Sequence, residues 1–214
     1  GLGKTIQSIS TLNHIWTHEK IRGPFLVLAP LSTLSHWRRE FERWTHMNAI
    51  VYHGNNEARE TIRHFEFGFA DAKGRGSAYK FHALITSYEV LKQDLSEFRK
   101  IKWRYMVVDE AHRLKNKDSA LANDLRSLSI EHMHLLSGTP LQNNTTELWA
   151  LINFLDRSLF PSLDGFLEEF GTLTQASQVE ALNEKIRPYL LRRQKNDVEK
   201  SLAPLEETII WVEM

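Results

Sequence analysis

Cysteine is absent from this chain of 214 residues. Its absence excludes a disulfide framework and any metal site built on thiolates. An excess of charge is also missing, because 27 Lys and Arg residues balance 27 Asp and Glu residues. Any contact with nucleic acid must therefore be local. No apolar run approaches the roughly 20 residues of a membrane-spanning helix, so we expect a soluble, globular chain with one sizeable core.

Short runs rich in β-branched and aromatic residues alternate with segments of helical period. This alternation is typical of an α/β fold with a parallel sheet and helices on both faces. The candidate strands are 25–29, 49–52, 81–86, 105–109 and 133–137. Two apolar stripes at helical spacing predict helices that face the core. They consist of Ile6, Ile9, Leu12 and Trp16, and of Leu34, Trp37, Phe41 and Trp44.

The last third of the chain has a different pattern. Beginning near Thr145, helical segments follow one another without strands between them. We therefore expect a sheet-containing lobe at 1–143, a helical appendage or inter-lobe region at 144–203, and the start of a further lobe at 204–214. The last of these contains a candidate strand at 207–212.

The chain opens on Gly1-Leu2-Gly3-Lys4-Thr5, which fits the last five positions of the phosphate-binding loop G-x-x-x-x-G-K-[ST]. In such a loop backbone N–H groups approach phosphate oxygens, Lys4 reaches the β and γ phosphates, and the Thr5 hydroxyl ligates Mg²⁺. Five residues fit a glycine turn that caps a helix equally well. Because the chain begins inside the motif, we expect a piece of a longer protein.

Asp109 and Glu110 follow directly on the apolar strand candidate at 105–109. Ligands of open α/β sheets bind beyond the carboxyl ends of the strands, so these acids would lie near the phosphate loop. Asp109 could hold Mg²⁺ through its water shell, and Glu110 could orient and deprotonate an attacking water. An isolated Asp-Glu pair is more often a solvated loop, but its pairing with Lys4 and Thr5 favours the functional interpretation. The ten histidines show no spacing of zinc ligands.

Five segments together resemble the Swi/Snf-like superfamily-two ATPases, and they occur in the order seen in that family. They are residues 1–5 (GLGKT), 29–34 (APLSTL), 86–89 (TSYE), 109–116 (DEAHRLKN) and 137–143 (SGTPLQN). Within the superfamily the chain is most similar to the chromodomain-helicase-DNA-binding remodellers of the Kismet-like branch. Further supporting stretches are 23–27 (GPFLV), 51–54 (VYHG), 79–83 (YKFHA) and 191–202 (LRRQKNDVEKSL).

The resemblance implies the RecA-like fold of a first helicase lobe, without its first strand and the start of its phosphate loop, and with ATP and Mg²⁺ as cofactors. The family's catalytic positions match Lys4, Asp109 and Glu110. Its nucleotide-binding positions match Gly1, Gly3, Lys4, Thr5 and Gln142, with Thr5 and Asp109 on the metal. The positions that couple nucleotide state to DNA match His112, Ser137, Gly138 and Thr139.

The same resemblance places contacts to phosphates of double-stranded DNA at Ser32, Thr33, Thr86, Arg113 and Lys115. Hydroxyl groups that position phosphates carry no sequence information. Ser32 and Thr33 could also cap the helix that begins near Leu34, and both roles can hold together. The basic run around Trp103 more often forms a solvated face than a nucleic-acid contact.

The resemblance further implies nucleosomes as partners, a nuclear location, and a second ATPase lobe of the same chain that carries the arginine fingers. We therefore expect the isolated fragment to be nearly inactive, since an arginine finger contributes about 10³ to 10⁵ in rate. Two rival functions stay open. One is a DEAH-type RNA helicase, which segment 137–143 disfavours, and the other is a non-hydrolysing scaffold lobe, which the intact Lys4 and Glu110 disfavour.

Overall fold

A sheet of five parallel strands forms the centre of the computed structural model, which describes residues 3–68, 79–114, 120–138, 145–171 and 176–191. The strands are β1 (Phe25–Leu28), β2 (Ala49–Tyr52), β3 (Ala83–Thr86), β4 (Lys102–Val108) and β5 (Ser129–Leu135). Their order in the sheet is β2-β3-β1-β4-β5. The predicted parallel sheet is confirmed, although β4 and β5 begin earlier than the sequence pattern indicated.

The register aligns the carboxyl ends of the strands. Leu28 of β1 pairs with Thr86 of β3 and with Val108 of β4, and Val108 pairs in turn with Leu135 of β5. The segments that follow these strands therefore emerge at one edge of the sheet, where ligands of such folds bind.

Helices cover both faces of the sheet, as predicted. They are α1 (Lys4–Thr17), α2 (Leu34–Trp44), α3 (Asn56–Ile62), α4 (Tyr88–Gln93), α5 (Leu95–Arg99), α6 (Ala120–Arg126), α7 (Thr145–Leu155), α8 (Leu163–Phe170) and α9 (Ala176–Ile186). Short 3-10 helices span Leu31–Thr33 and Ala111–Leu114, and a π-helical turn spans Arg63–Phe67. Within the described ranges, none of the helices combines the length and the apolar character needed to cross a bilayer.

Alternate residues of each buried strand supply two separate cores. Phe25 and Val27 pack with α1 and α2, while Leu26 and Leu28 pack on the other face with α4, α5 and α6. This division follows from the two-residue period of a strand. It explains why β1 and residues 106–108 of β4 are apolar without interruption.

Three aromatic and aliphatic positions differ from the sequence prediction. Ile6 and Trp44, expected in the core, are 40% and 49% exposed, because they lie at the ends of their helical stripes, where the sheet no longer covers them. Trp103, expected on a solvated face or on nucleic acid, is fully buried. Its indole N–H donates to the carbonyl of Phe98 over 3.1 Å, since a buried indole needs an acceptor.

Helices α7, α8 and α9 follow β5 with no further strand among the described residues. α7 begins at Thr145, where the change of pattern was predicted. Its Leu151 and Phe154 belong to the core of the sheet, whereas Leu148 and Ile152 pack with a cluster from α8 and α9. α7 is therefore shared between the sheet and the helical part. The predicted strand at 207–212 lies outside the described residues.

Candidate active site

The turn after β4 brings two adjacent carboxylates to the carboxyl edge of the sheet. The amide of Asp109 donates to the carbonyl of Leu28 over 2.8 Å, which extends the ladder by one bond beyond β4. Glu110 then has φ 52°, in the left-handed region that residues other than glycine rarely adopt. The amide of Ala111 donates to the carbonyl of Leu136 over 2.7 Å. Neighbouring strands thus fix the backbone on both sides of this strained residue, as is common at functional sites.

Asp109 is held by donors from three directions. The Trp37 indole N–H donates to Oδ2 of Asp109 over 3.0 Å, and the backbone N–H of Glu110 donates to Oδ1 over 3.0 Å. The hydroxyl of Tyr88 donates to the Asp109 carbonyl oxygen, and burial raises the pKa of that tyrosine so that it stays protonated. Asp109 is only 9% exposed. Each carboxylate oxygen keeps a lone pair for a hydrated cation, since each accepts one of the described bonds.

Lys4 and Glu110 converge on Gly138. A Cβ placed on Gly138 would lie 3.1 Å from Nζ of Lys4 and 3.8 Å from Oε1 of Glu110. Lys4 is the first residue of α1, and Gly3 before it has φ 80°, the left-handed conformation that glycine adopts at little cost. The structure therefore brings the first turn of α1, the acid after β4 and the segment after β5 to one small space.

This space fits a phosphate and its metal ion on two observations. The backbone at Gly138 leaves open a place that a methyl group would fill beside an ammonium group, and Asp109 offers a fixed carboxylate. In addition, the described first turn of α1 contains no acidic side chain, so the positive end of the helix is not neutralised there. No cluster of three or more His, Asp or Glu side chains suited to a metal lies within the described residues. Mg²⁺ needs only one or two carboxylates when phosphates complete its shell.

His112 lies beside the second carboxylate. Its Nδ1 atom is 3.1 Å from Oε2 of Glu110. Nδ1 is nevertheless buried and makes no aligned hydrogen bond within the described part of the chain. A small movement of either side chain would complete that bond.

A second link joins α1 to β5. The Ser8 hydroxyl donates to the carbonyl of Lys4 over 3.0 Å and lies 2.9 Å from Nε2 of His134. Burial lowers the pKa of His134 to about 4, so the ring is neutral at neutral pH. If the hydroxyl hydrogen points to Lys4, the ring must donate its Nε2–H to Ser8. The link ties the first turn of α1 to the strand that leads to Ser137, which is half-buried, and to Gly138.

The expected DNA contacts have different environments. Ser32 is exposed and Thr33 is half-buried. The Thr33 hydroxyl donates to the carbonyl of Pro30 over 2.9 Å, and no side-chain capping bond is made to α2. The capping role expected for Thr33 is therefore wrong in this conformation. Arg113 is exposed, with its guanidinium group 3.2 Å from Oε1 of Glu89.

Thr86 does not fit the contact expected of its side chain. It is fully buried, and its hydroxyl donates to the carbonyl of Tyr52 over 2.8 Å. The last residue of β3 has strands on both sides, which leaves no path from its hydroxyl to a phosphate. Four other expected site residues, Gly1, Lys115, Thr139 and Gln142, lie outside the described residues.

The sequence profile of the SNF2-related domain matches residues 1–214. The chain belongs to the SNF2-related domain family. Over its whole length it is 51% identical to chromodomain-helicase-DNA-binding protein 6 of Rattus norvegicus and 52% identical to chromodomain-helicase-DNA-binding protein 7 of Homo sapiens. It spans only 8% and 7% of those proteins. The recognised resemblance to the chromodomain-helicase-DNA-binding family is confirmed.

Two solved structures of SNF2-type cores resemble this SNF2-related chain. The Sulfolobus solfataricus SWI2/SNF2 ATPase core in complex with dsDNA has a TM-score of 0.75 and 29% identity, over 94% of this chain and 40% of that one. The same organism's ATPase core domain has a TM-score of 0.69 and 28% identity, over 92% of this chain and 38% of that one. The RecA-like lobe is therefore confirmed.

Sequence reasoning missed the residues that hold Asp109 in this SNF2-related lobe. Trp37 was assigned to the core only, and Tyr88 had no assigned role. The signal for Trp37 was present, since a tryptophan in a fully buried stripe needs an acceptor for its N–H group. Nothing in the sequence indicates that this acceptor is a carboxylate 72 positions away.

Proposed function

We propose that this chain is the first ATP-binding lobe of a DNA-translocating chromatin-remodelling ATPase. The observation that carries the proposal is the convergence of Lys4 and Glu110 on Gly138. An ammonium group that would bind phosphate oxygens thus lies near a carboxylate that would accept a proton. Neither a glycine turn at a helix start nor a solvated acidic loop would require these groups to meet.

Lys4 would bind the β and γ phosphates, with backbone N–H groups around Gly1 and Gly3 as further donors. Gln142 would contribute to nucleotide binding from the segment after β5. The positive end of α1 supports this arrangement, because a helix N-terminus favours bound anions. These side chains need only hold the phosphates in place and stabilise their charge, since phosphoryl transfer depends mainly on orientation and electrostatic stabilisation.

Thr5 and Asp109 would hold Mg²⁺, and Glu110 would orient and deprotonate the attacking water. Bound Mg²⁺ supplies charge neutralisation and polarises phosphoryl oxygens. The two donors on the Asp109 carboxylate, Trp37 and the Glu110 amide, support a single orientation for it, and the Tyr88 hydroxyl holds the Asp109 backbone, while Glu110 follows in the left-handed conformation. Although the two carboxylates are adjacent in sequence, Asp109 can thus serve the metal ion and Glu110 the attacking water.

His112, Ser137, Gly138 and Thr139 would couple the nucleotide state to DNA. The contact of His112 with Glu110 and the position of Gly138 against Lys4 support this role. Ser32, Thr33, Arg113 and Lys115 would contact DNA phosphates at the same sheet edge. We leave the buried Thr86 side chain out of this surface.

The wider assignment rests on the relatives, whose names describe them as chromodomain-helicase-DNA-binding proteins, and on a neighbour solved with dsDNA. We propose nucleosomes as the substrate and the nucleus as the location. The lobe would occupy 1–143, with a helical region at 144–203 and the start of the second lobe at 204–214. Closure of the two lobes on ATP would then move DNA by steps along its backbone.

The test is the ATP turnover of the full-length protein with no nucleic acid, with double-stranded DNA, with nucleosomes and with RNA. Double-stranded DNA and nucleosomes should stimulate turnover more than RNA. Glu110→Gln should lower the stimulated rate by about 10² to 10⁴. The control is Glu131→Gln, which changes an exposed glutamate near the opposite end of β5 that pairs with Arg104. An equal rate under all four conditions, or an unaltered rate in Glu110→Gln, would refute the assignment, and preferential stimulation by RNA would favour an RNA helicase.

The DNA surface has its own test in the salt dependence of binding. Affinity for double-stranded DNA should fall steeply with salt, because each phosphate contact releases a counterion. Arg113→Gln should reduce the slope of log affinity against log salt by about one. A slope unchanged by this substitution would remove Arg113 from the contact surface.

A further inference from the structure

We propose that Trp37 and Tyr88 are positioning residues that connect the proposed DNA contacts at Ser32 and Arg113 to Asp109, so that DNA binding and metal-nucleotide binding reinforce each other. The inference rests on the proposed function. It assigns the connection to two hydrogen bonds that reach Asp109 from opposite faces of the sheet. One comes from α2, which follows β1, and the other comes from α4, which follows β3.

The first connection runs through α2. This helix begins directly after the exposed Ser32 and the half-buried Thr33, and it carries Trp37 one turn further along. The Trp37 ring is fully buried, and it packs against Phe41 with the ring centroids 6.4 Å apart. Its N–H donates to Oδ2 of Asp109. If a phosphate bound at Ser32 shifts α2, the Trp37 indole must move relative to the Asp109 carboxylate, or their hydrogen bond must resist the shift.

The second connection runs through α4. Ser87 caps this helix by accepting from the amide of Val90, and Tyr88 is the first residue of the helix. The Tyr88 hydroxyl donates to the Asp109 carbonyl. The Arg113 guanidinium lies 4.6 Å from the centroid of the same ring. An exposed arginine that we propose to contact DNA thus lies over the ring of the residue that bonds to Asp109.

Arg113 is held from the same helix. Glu89, the neighbour of Tyr88, accepts from two guanidinium nitrogens of Arg113. A hydrogen bond from its own backbone amide, together with Arg113, holds the pKa of Glu89 below its ordinary value. A DNA phosphate that attracts Arg113 would compete with Glu89 and change the stacking on Tyr88. The proposed DNA contacts at Ser32 and at Arg113 therefore both lead to one buried residue, Asp109.

Coupling of this kind is reciprocal and can be measured by binding alone. If DNA tightens the affinity for Mg²⁺ and nucleotide, then Mg²⁺ and nucleotide tighten the affinity for DNA by the same factor. A hydrogen-bond partner of a ligating carboxylate typically contributes about 10- to 100-fold in metal affinity or activity. Removal of the indole donor should therefore weaken metal binding and bring the coupling factor towards one.

The experiment compares Trp37→Phe with Trp103→Phe in the full-length protein. Both tryptophans are fully buried and both donate to an oxygen, but Trp103 donates to the carbonyl of Phe98. The affinity for a fluorescent ATP analogue is measured at graded Mg²⁺, with and without saturating double-stranded DNA. Trp37→Phe should raise the Mg²⁺ concentration for half-saturation about 10-fold and remove most of the DNA effect. Trp103→Phe should leave both quantities unchanged relative to the unmodified protein.

Tyr88→Phe gives an independent second test, since it removes one oxygen atom and keeps the ring under Arg113. The control is Tyr105→Phe, a half-buried tyrosine on β4. Tyr88→Phe should lower the coupling factor while salt-dependent DNA binding persists. If Trp37→Phe does not fold, as judged by thermal unfolding, this variant decides the question.

Coupling equal to that of the unmodified protein in both variants would overturn the inference and leave the proposed function intact. Absence of any DNA effect on the unmodified protein would instead refute the proposed function. The kcat and KM values give a further distinction. A merely structural defect would lower both DNA-free and DNA-stimulated turnover by the same factor, whereas a positioning role lowers the ratio between them.

Discussion

Replacement of Gly138 by alanine is the most direct perturbation of the site. Its added methyl group would stand 3.1 Å from Nζ of Lys4 and 3.8 Å from Oε1 of Glu110. Ordinary van der Waals contact begins at 3.4 Å, so Nζ of Lys4 must move by a few tenths of an ångström. Gly138 does not have a left-handed backbone, and alanine therefore adds no conformational strain there.

The change should separate activity from stability. The atom that must move is the end of a flexible side chain on a half-buried residue, so the free energy of unfolding should change by no more than about 0.5 kcal/mol. Misplacement of a catalytic group by about 1 Å can cost roughly 100-fold in rate. A smaller shift of the Lys4 ammonium, together with loss of space for a phosphate oxygen, should lower kcat/KM for ATP by about 10-fold, or about 1.4 kcal/mol of transition-state stabilisation.

The assay is steady-state ATP turnover of the full-length protein with saturating DNA, alongside thermal unfolding. Gly68→Ala is the matched control, because its added Cβ would meet no atom within 4 Å. Gly68 has φ −141°, which alanine adopts freely. If Gly138→Ala turns over ATP as fast as Gly68→Ala, Lys4 does not act from the place that the structure gives it.

Three further predictions concern the stability of the fold and rest on residues away from Gly138. Burial lowers the pKa of His134 from 6.5 to about 4, so the unfolded chain binds more protons than the folded chain between these pH values. A contribution of about 3 kcal/mol to the free energy of unfolding is therefore present above pH 6.5 and is lost as the pH falls to 4. His134→Gln should flatten that part of the pH profile of stability measured by chemical denaturation. Asp94→Ala should destabilise the fold by about 3 kcal/mol or more, because it leaves the nearly buried Arg59 without the carboxylate whose Oδ2 lies 2.7 Å from its Nε. Glu131→Ala, which breaks an exposed ion pair, should cost less than about 1 kcal/mol. Equal costs in chemical denaturation would refute the argument. Gly23→Ala should lower the unfolding temperature by several degrees, because φ is 89° and its Cβ would lie 2.5 Å from a backbone oxygen; an unchanged temperature would contradict it.

The sheet could be predicted from the sequence, because the pattern that marks each strand lies within a few consecutive residues. β1 (Phe25–Leu28) and residues 106–108 of β4 are apolar and buried, and a strand segment buried on both faces needs no partner information to be recognised. The strand ends were less accurate. β4 extends back to Lys102 because pairing with Ser129 of β5 stabilises polar residues that have little strand pattern of their own.

The same local patterns were weaker guides to burial at the ends of elements. Trp44 continues the helical stripe of α2, but its indole N–H donates to Glu40 on the same helix and its ring stays 49% exposed. Trp103 stands among basic residues, yet β4 places its side chain inside the sheet core. Side-chain burial there depends on which face of the sheet a position occupies, and a single aromatic residue in a charged run does not show that.

The sequence by itself determined the family that the motifs indicate and the candidate site residues Lys4, Asp109 and Glu110, with their place at a helix start or after an apolar strand. Only the tertiary structure decided which groups meet. The approach of Lys4 to Glu110 around Gly138, and the hydrogen bond from Trp37 to Asp109, join segments that are distant along the chain. Such contacts follow from strand order and register, because parallel pairing brings all carboxyl ends to one edge and no local pattern encodes that order.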